Sequence, residues 1–250
     1  MKSLIKDEQW AIILDRLRKI NGIHTSDEAR LRRFIDAILY IRNAGCKWRN
    51  LPEALGNWRS VHARFKRWSK MQIWKKLFHD VIDQMDNDEI IIDSTVVKAH
   101  PCAAGYKKNS AQEQCLGRSC GGFTTKIHVA VNALGNPLKF ILTPGNHSDI
   151  TQGRKLLKDY KNANVIADKA YDSEEFVNFI TKNQCQAVIP SRKTNKNPRE
   201  YKFCLYKERH LVECFFRKIK DFRRIWARYD KTAEAFLGFL YLTGAMIWLK

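Results

Sequence analysis

The sequence predicts an α/β fold, in which a mixed sheet flanked by helices follows a small all-α domain. Residues 1–87 carry apolar side chains at helical spacing, and five of the seven tryptophans lie there. From residue 88 onwards, short apolar runs alternate with helical segments, which is typical of a mixed sheet. A chain of 250 residues can hold one small and one larger domain, which we place at 1–87 and 88–250.

The first domain is predicted to contain four helices. Thr25 and Glu28 form a capping-box pair that would begin the second helix, and Gly45 would end it. Residues 45–52 read as a connector, and 56–70 as the third helix. The apolar residues expected in the core are Trp10, Ile13, Leu14, Leu17, Leu31, Phe34, Ile35, Ile38, Leu39, Trp58, Val61, Phe65, Trp68, Trp74, Leu77 and Phe78.

The second domain is predicted to alternate strands with helices. Strands are expected at 89–93, 124–131, 138–142, 165–167 and 187–189, and helices at 149–161, 173–183, 206–228 and 232–249. The third of these helices would be a single long one. Residues 99–122 and 191–205 are polar and are expected to be loops.

The net charge of +19 and the pI of about 9.7 favour a polyanionic partner, of which nucleic acid is the commonest. A lysine-rich surface without such a partner is the alternative. Clustering argues against it, because residues 42–76 hold ten Lys or Arg and a single acid, Glu53.

The chain is expected to be a soluble cytoplasmic protein with no membrane association. It has no run of eighteen apolar residues and no apolar export signal near its first residue. The seven cysteines are odd in number and form no CxxC pair, so they are expected to be free thiols.

Three acidic residues lie at positions typical of catalytic residues. Asp93 and Asp168 each end a predicted buried strand, and Glu213 lies on the predicted long helix. A carboxylate at a buried strand end costs several kcal/mol unless it is paired or holds a cation. Oxygen ligands favour Mg²⁺ or Mn²⁺, and a pair of such ions suits phosphodiester chemistry. The alternative is that the two aspartates only cap turns.

The long helix is expected to present one polar and one apolar face. Tyr206, Arg209, Glu213 and Lys220 fall within an arc of roughly 60°, with Arg217 nearby. The residues expected to face the core are Leu211, Phe215, Ile219, Phe222 and Trp226. A solvated face with ordinary i,i+4 pairs is the alternative.

Spaced motifs over most of the chain resemble one family. The helix carries the pattern Tyr206-x2-Arg209-x3-Glu213-x6-Lys220, and further motifs occupy residues 45–52, 57–68, 91–95, 117–128 and 167–173. Together they resemble the bacterial insertion-sequence transposases with a DDE active site, in the insertion-sequence-five-like branch. Asp172 lies four residues after Asp168, but the motif favours Asp168 as the second acid.

The resemblance implies a ribonuclease-H-like fold with a helix-turn-helix-like N-terminal domain. It implies that Asp93, Asp168 and Glu213 are the catalytic residues and the ligands of Mg²⁺ or Mn²⁺, with two ions expected. Residues 56–70 resemble the helix that binds DNA. The side chains expected to contact DNA are Arg59, Arg64, Lys66, Arg67, Lys70, Tyr206, Arg209, Arg217 and Lys220.

The function implied is that of a transposase acting on double-stranded DNA. Such an enzyme binds the terminal inverted repeats of its element, cleaves a strand with the help of metal, and joins the freed 3′-hydroxyl to target DNA. A homodimer on DNA and a location at the bacterial nucleoid are expected. The alternatives are a nuclease of the same fold without strand transfer, and a catalytically inactive repressor derived from a transposase.

Overall fold

The computed structural model describes residues 3–23, 27–82, 88–103, 113–119, 121–192, 195 and 198–250. The chain forms two compact units. A helical unit comprises Met1–Gln84, Ala99–Tyr106 and Ile219–Lys250, and a sheet unit comprises Met85–Lys98 and Lys107–Lys218. Within the described residues, no helix is both long enough and apolar enough to span a membrane. The six described cysteines are free thiols, as expected, and Cys120 lies outside the described residues.

The elements run in chain order as follows. The helices are α1 (Asp7–Lys19), α2 (Glu28–Ala44), α3 (Trp58–Lys70), α4 (Ile73–Ile82), α5 (Ile150–Leu157), α6 (Glu174–Lys182), α7 (Phe203–Tyr206), α8 (His210–Lys220), α9 (Arg223–Trp226) and α10 (Ala233–Trp248). The strands are β1 (Glu89–Ala99), β2 (Gly117–Ser119), β3 (Gly122–Asn132), β4 (Pro137–Pro144), β5 (Asn164–Ile166), β6 (Gln186–Val188) and β7 (Ala227–Arg228).

The four predicted N-terminal helices are confirmed as α1 to α4, and all but one of their predicted core residues are buried. Trp58 is the exception, because it begins α3 and is half-buried. The start of α2 differs from the prediction. Thr25 lies outside the described residues, and the Asp27 side chain accepts a hydrogen bond from the backbone N–H of Arg30. Gly45 ends α2 as predicted, with a left-handed φ of 62°.

The last helix, α10, completes the core of the helical unit. It packs against α3 and α4, where its Phe239 ring lies 4.5 Å from Phe65 and its Tyr241 ring lies 5.4 Å from Phe78. The structure therefore divides the chain differently from the predicted domains 1–87 and 88–250. The segment from Ile219 onwards belongs to the helical unit, because α10 is apolar on almost every side and needs a core around it.

Gly238 allows this close approach. A Cβ atom at that position would lie 2.8 Å from Ser69 Oγ and 2.9 Å from Trp74 Cδ1. We therefore expect Gly238→Ala to lower the free energy of unfolding by about 1–3 kcal/mol, as overpacked cores do. Thermal unfolding measures this. Gly121→Ala is the control, since a Cβ there meets its nearest neighbour at 3.6 Å. Equal stability of both variants would contradict the packing of α10.

The sheet has the strand order β2-β3-β1-β5-β6, and β4 pairs with β3. The β1–β3, β2–β3 and β3–β4 pairs are antiparallel, whereas β1–β5 and β5–β6 are parallel. The predicted mixed α/β architecture is thus confirmed. One prediction about β1 is wrong: the strand does not end at Asp93 but continues to Ala99, because residues 93–98 pair with β3.

The single helix predicted over 206–228 is also wrong. The structure has α7, a 3-10 turn over Lys207–Arg209, α8 and α9 in its place. Phe222 is extended, with φ −82° and ψ 111°, so the helix cannot continue through it. The break turns Arg224 into the core, where its guanidinium lies 2.8 Å from the buried Asp230 carboxylate. It also leaves Trp226 65% exposed rather than on the predicted apolar face.

Candidate active site

The sheet register sets Asp93 beside Asp168. In the parallel β1–β5 pair, Ile91 stands opposite Ile166, and each aspartate follows two residues later. Neighbouring strands are about 4.8 Å apart. Asp93 is therefore held by a central strand, and Asp168 by the chain that leaves the end of β5.

Asp93 is a partly buried and partly neutralised acid. One carboxylate oxygen accepts a hydrogen bond from the backbone N–H of Ser94 at 2.7 Å, and the other lies 2.9 Å from Arg209 Nη1. Burial raises the pKa of Asp93 to about 6. The Ser94 hydrogen bond and the charge of Arg209 lower this pKa, whereas the charge of Asp168 raises it. Asp168 is thus close enough to act on Asp93 electrostatically.

Asp168 also caps a turn. Its Oδ1 accepts a hydrogen bond from the backbone N–H of Ala170 at 2.8 Å, at the start of the 3-10 turn Lys169–Tyr171. Asp172 has a different environment. It is buried, it pairs with Arg199, and it accepts a 2.7 Å hydrogen bond from the backbone N–H of Arg192. Asp172 therefore anchors the segment after β6.

Glu213 joins the same group through Arg209. The guanidinium of Arg209 pairs with the Glu213 carboxylate on α8 and with Asp93 on β1. Burial lowers the pKa of Arg209, but the charges of Asp93 and Glu213 outweigh it and leave the pKa raised. The Arg209 guanidinium therefore pairs with two acids that are 120 residues apart in the sequence, since 213 − 93 = 120.

Tyr206 lies in the same neighbourhood. Burial raises the pKa of its hydroxyl, and the charge and hydrogen bond of Arg209 lower it, while the charge of Asp168 raises it. Arg217 is exposed on α8, one turn after Glu213. Lys220 is the last residue of α8 and belongs to the segment grouped with the helical unit.

Asp149 forms a second layer that the sequence analysis missed. Its carboxylate accepts a 2.6 Å hydrogen bond from Ser94 Oγ and lies 2.9 Å from Lys126 Nζ. It also lies 3.8 Å from Nδ1 of the fully buried His128, whose Nε2 is 2.7 Å from Thr143 Oγ1. Because Ser94 follows Asp93, Asp149 ties β1 and β3 together directly behind the acids. The one available signal was the polar run His147–Ser148–Asp149 after β4.

The donor set fits a divalent metal ion in its chemistry. Asp93, Asp168 and Glu213 offer only carboxylate oxygens, the ligands that Mg²⁺ and Mn²⁺ prefer. A cation, the Arg209 guanidinium, already lies between two of them. Among the described residues, no three His, Cys, Asp or Glu side chains lie close enough to hold a metal as they stand. Arg209 therefore occupies oxygens of Asp93 and Glu213 that a metal ion would also use.

The predicted DNA contacts of the first domain divide into two faces of α3. Arg59, Lys66 and Lys70 lie on one face and are exposed. Arg64 and Arg67 lie roughly 100° around the helix. Arg64 is half-buried there, with its guanidinium 4.4 Å from the centre of the Phe34 ring.

The partly buried charge of Asp93 should lower the free energy of unfolding at neutral pH. The pKa of Asp93 in the folded chain, about 6, is above the usual 3.8, so folding favours the protonated carboxyl over the carboxylate. The contribution of the protonated form to the free energy of unfolding is therefore lost as pH rises from about 4 to above 6. We expect Asp93→Asn to raise the free energy of unfolding by about 1–3 kcal/mol at pH 7, at 1.36 kcal/mol per pKa unit. Thermal unfolding from pH 3.5 to 7.5 tests this. A gain that is the same at every pH would contradict a titrating Asp93.

Comparison with known proteins places the chain in a family. Residues 84–248 match the model of the family described as "Transposase DDE domain". The chain is a member of the DDE transposase family. Residues 5–78 match a second model, described as "Putative transposase of IS4/5 family".

Similar proteins support the same assignment. This transposase is 45% identical to the "Putative transposase for insertion sequence element IS6501" of Brucella ovis, over 51% of this chain and 99% of that protein. It is 30% identical to the "Putative transposase for insertion sequence element IS402" of Burkholderia cepacia, over 49% of this chain and 62% of that protein. A solved piggyBac transposase synaptic complex with hairpin DNA is 11% identical, with a TM-score of 0.42. That match covers 76% of this chain but only half of the piggyBac chain, and the likeness is too weak to carry an argument.

Proposed function

We propose that this insertion-sequence transposase binds the terminal inverted repeats of its element and catalyses DNA strand cleavage and strand transfer at Asp93, Asp168 and Glu213. One observation carries the proposal. Acids from β1 and α8 converge on the Arg209 guanidinium, and the register of β1 and β5 adds Asp168 beside them. Carboxylates brought near one another from distant parts of the chain are what phosphodiester chemistry with Mg²⁺ or Mn²⁺ requires.

The two reactions place the same demands on these residues. When bound, two such ions would supply the positive charge that stabilises the attacking and leaving oxygens. Asp93, Asp168 and Glu213 would hold them. In cleavage, water attacks a phosphodiester and frees a 3′-hydroxyl; in strand transfer, that hydroxyl attacks a phosphodiester of target DNA. Tyr206, Arg209, Arg217 and Lys220 would position the DNA strand by contacting its phosphates.

The proposal includes a ribonuclease-H-like fold for the sheet unit and a helix-turn-helix-like arrangement in the helical unit. A central strand with two antiparallel strands on one side and two parallel strands on the other, in the order β4-β3-β1-β5-β6, supports a ribonuclease-H-like sheet. A helix-turn-helix motif has a short turn between its two helices. The α3–α4 pair fits this motif better than the α2–α3 pair, because only Met71 and Gln72 separate α3 from α4, whereas thirteen residues (45–57) separate α2 from α3.

Double-stranded DNA is the proposed partner, and a homodimer the proposed assembly on it. The net charge of +19 supports a polyanion, and joining two element ends calls for two active sites. We infer that α3 contributes Arg59, Arg64, Lys66, Arg67 and Lys70 to binding, with phosphate contacts supplying affinity.

A strand-transfer assay tests the proposal against its alternatives. The purified chain would be incubated with Mg²⁺ or Mn²⁺, labelled duplexes carrying the inverted repeats that flank the gene, and a supercoiled target plasmid. Labelled plasmid is the expected product. Nicked ends without joining would favour a nuclease, and binding without any metal-dependent cleavage would favour a repressor.

A further inference from the structure

A pocket lined by arginines opens between α2 and α3 in the helical unit. Its volume is about 460 Å³. Arg30 and Arg33 reach it from α2, and Arg64 and Arg67 reach it from α3. No Asp or Glu is among its lining residues, so these four side chains give the lining a charge of +4.

Three of the four arginines have no carboxylate partner among the described residues. These three are Arg30, Arg33 and Arg67, and all of them are exposed. Burial lowers the pKa of Arg64, and the charges of Arg67 and Arg30 lower it further. Like charges held together in this way are stabilised by an anion.

One arginine of the pocket is held in place by aromatic rings. The Arg64 guanidinium lies 4.4 Å from the centre of the Phe34 ring and 4.9 Å from that of Trp68, and both rings are buried. Such stacking restricts the plane of the guanidinium. A planar guanidinium can donate two parallel hydrogen bonds to one phosphate, and Ser60 adds a hydroxyl to the lining.

We propose that this pocket holds a backbone phosphate of the DNA that the transposase binds. The inference rests on the proposed function in taking DNA as the partner. It adds Arg30 and Arg33 of α2, which the sequence analysis did not select, to the side chains proposed to contact DNA. The pocket is a different contact surface from the face of α3 that carries Arg59, Lys66 and Lys70. DNA is favoured over a small free anion because the pocket is open and lies beside that second basic face.

The test compares pairs of substitutions that remove equal charge from the full chain. Arg30→Ala with Arg33→Ala removes the two arginines that α2 contributes to the pocket, and Lys155→Ala with Lys158→Ala removes two exposed cations from the end of α5. Affinity for a labelled duplex from an element end would be measured by fluorescence anisotropy between 50 and 200 mM salt. Thermal unfolding would show that both variants are folded.

Two lost phosphate contacts lower the slope of log K against log salt by about 1.8, at roughly 0.9 each. When salt is raised from 50 to 200 mM, the affinity of wild type for the duplex should therefore fall by a factor about twelve times larger than the factor for the arginine variant, since 4 to the power 1.8 is about 12. The lysine variant should keep the wild-type slope. Equal slopes for the arginine variant and wild type, or equal loss in both variants, would overturn the proposal.

Two further measurements separate the remaining explanations. Arg30→Lys with Arg33→Lys keeps the charge but not the planar donor pair, so it should keep the slope and bind more weakly at every salt concentration. Inorganic phosphate is the probe for a small-anion site. If it raises the melting temperature of wild type but not of the arginine variant, while both bind duplex equally, the pocket serves a free anion and the DNA proposal fails. If wild type binds no duplex at all, the proposed function itself is wrong.

Discussion

Replacing Asp93, Asp168 or Glu213 by its amide should reduce metal-dependent DNA cleavage on the order of a hundredfold to a thousandfold, the size of effect that the loss of one preorganised electrostatic contact has at other active sites. An amide has nearly the shape of the acid but no charge, so it holds a divalent cation poorly. Binding to the element ends should change little, because the proposed DNA-binding cations are untouched. Cleavage of labelled ends and gel shifts with the same DNA would measure the two effects separately.

Matched controls make this test specific. Asp159→Asn removes an exposed acid of the same unit, whose partner is Lys139 at 2.7 Å, and should cleave normally. Asp172→Asn should lower stability but retain cleavage, because Asp172 is buried against Arg192 and Arg199. If Asp172→Asn abolished cleavage while Asp168→Asn did not, Asp172 would be the second acid. A variant of any of the three proposed acids that cleaves at close to the wild-type rate would remove that residue from the site.

Periodicity predicted the helices and strands wherever local pattern decides the structure. The stripes of α1 to α4 are buried because each is an amphipathic helix with one face to hide. The apolar runs at 90–92 and 165–166 became adjacent buried strands for a similar reason. The three acids could be selected because they adjoin these elements and match a family motif.

Features set by contacts between distant segments could not be predicted from periodicity. The helix predicted over 206–228 breaks at Phe222, where the buried Arg224–Asp230 pair competes with helix continuation. The grouping of α10 with the helical unit depends on the close approach at Gly238. Asp149, which precedes α5, was missed because its partners Ser94 and Lys126 come from β1 and β3.

Arg209 is the clearest example at the candidate site. The sequence analysis selected Arg209, one turn before Glu213, as a side chain that contacts DNA. In the structure, Arg209 occupies both Glu213 and Asp93. Arg209 can both pair with these acids and contact DNA if its guanidinium exchanges partners. It would leave the acids when a divalent cation binds and move to a phosphate of the DNA strand.

This exchange predicts opposite effects of Arg209→Ala on two measurements. Without the competing guanidinium, Mn²⁺ should bind about tenfold to a hundredfold more tightly, since a charge-assisted hydrogen bond contributes about 1.5–3 kcal/mol and about 1.4 kcal/mol is a factor of ten. Strand transfer with pre-cut ends should fall roughly a hundredfold, because misplacement of the scissile phosphate has an effect of that size. The Mn²⁺-induced rise in melting temperature measures the first effect without relying on activity, and plasmid joining measures the second.

Two variants provide the controls for Arg209. Arg209→Lys keeps a cation near the acids but loses the two-pronged guanidinium, so it should bind Mn²⁺ about as wild type does and recover only part of the strand transfer. Arg217→Ala removes an exposed cation one turn beyond Glu213 and should leave Mn²⁺ binding unchanged. If Arg209→Ala bound Mn²⁺ no better than wild type, the guanidinium would not compete for the metal position. The Asp93–Arg209–Glu213 contact would then be a structural ion pair, and the metal would have to bind beside it.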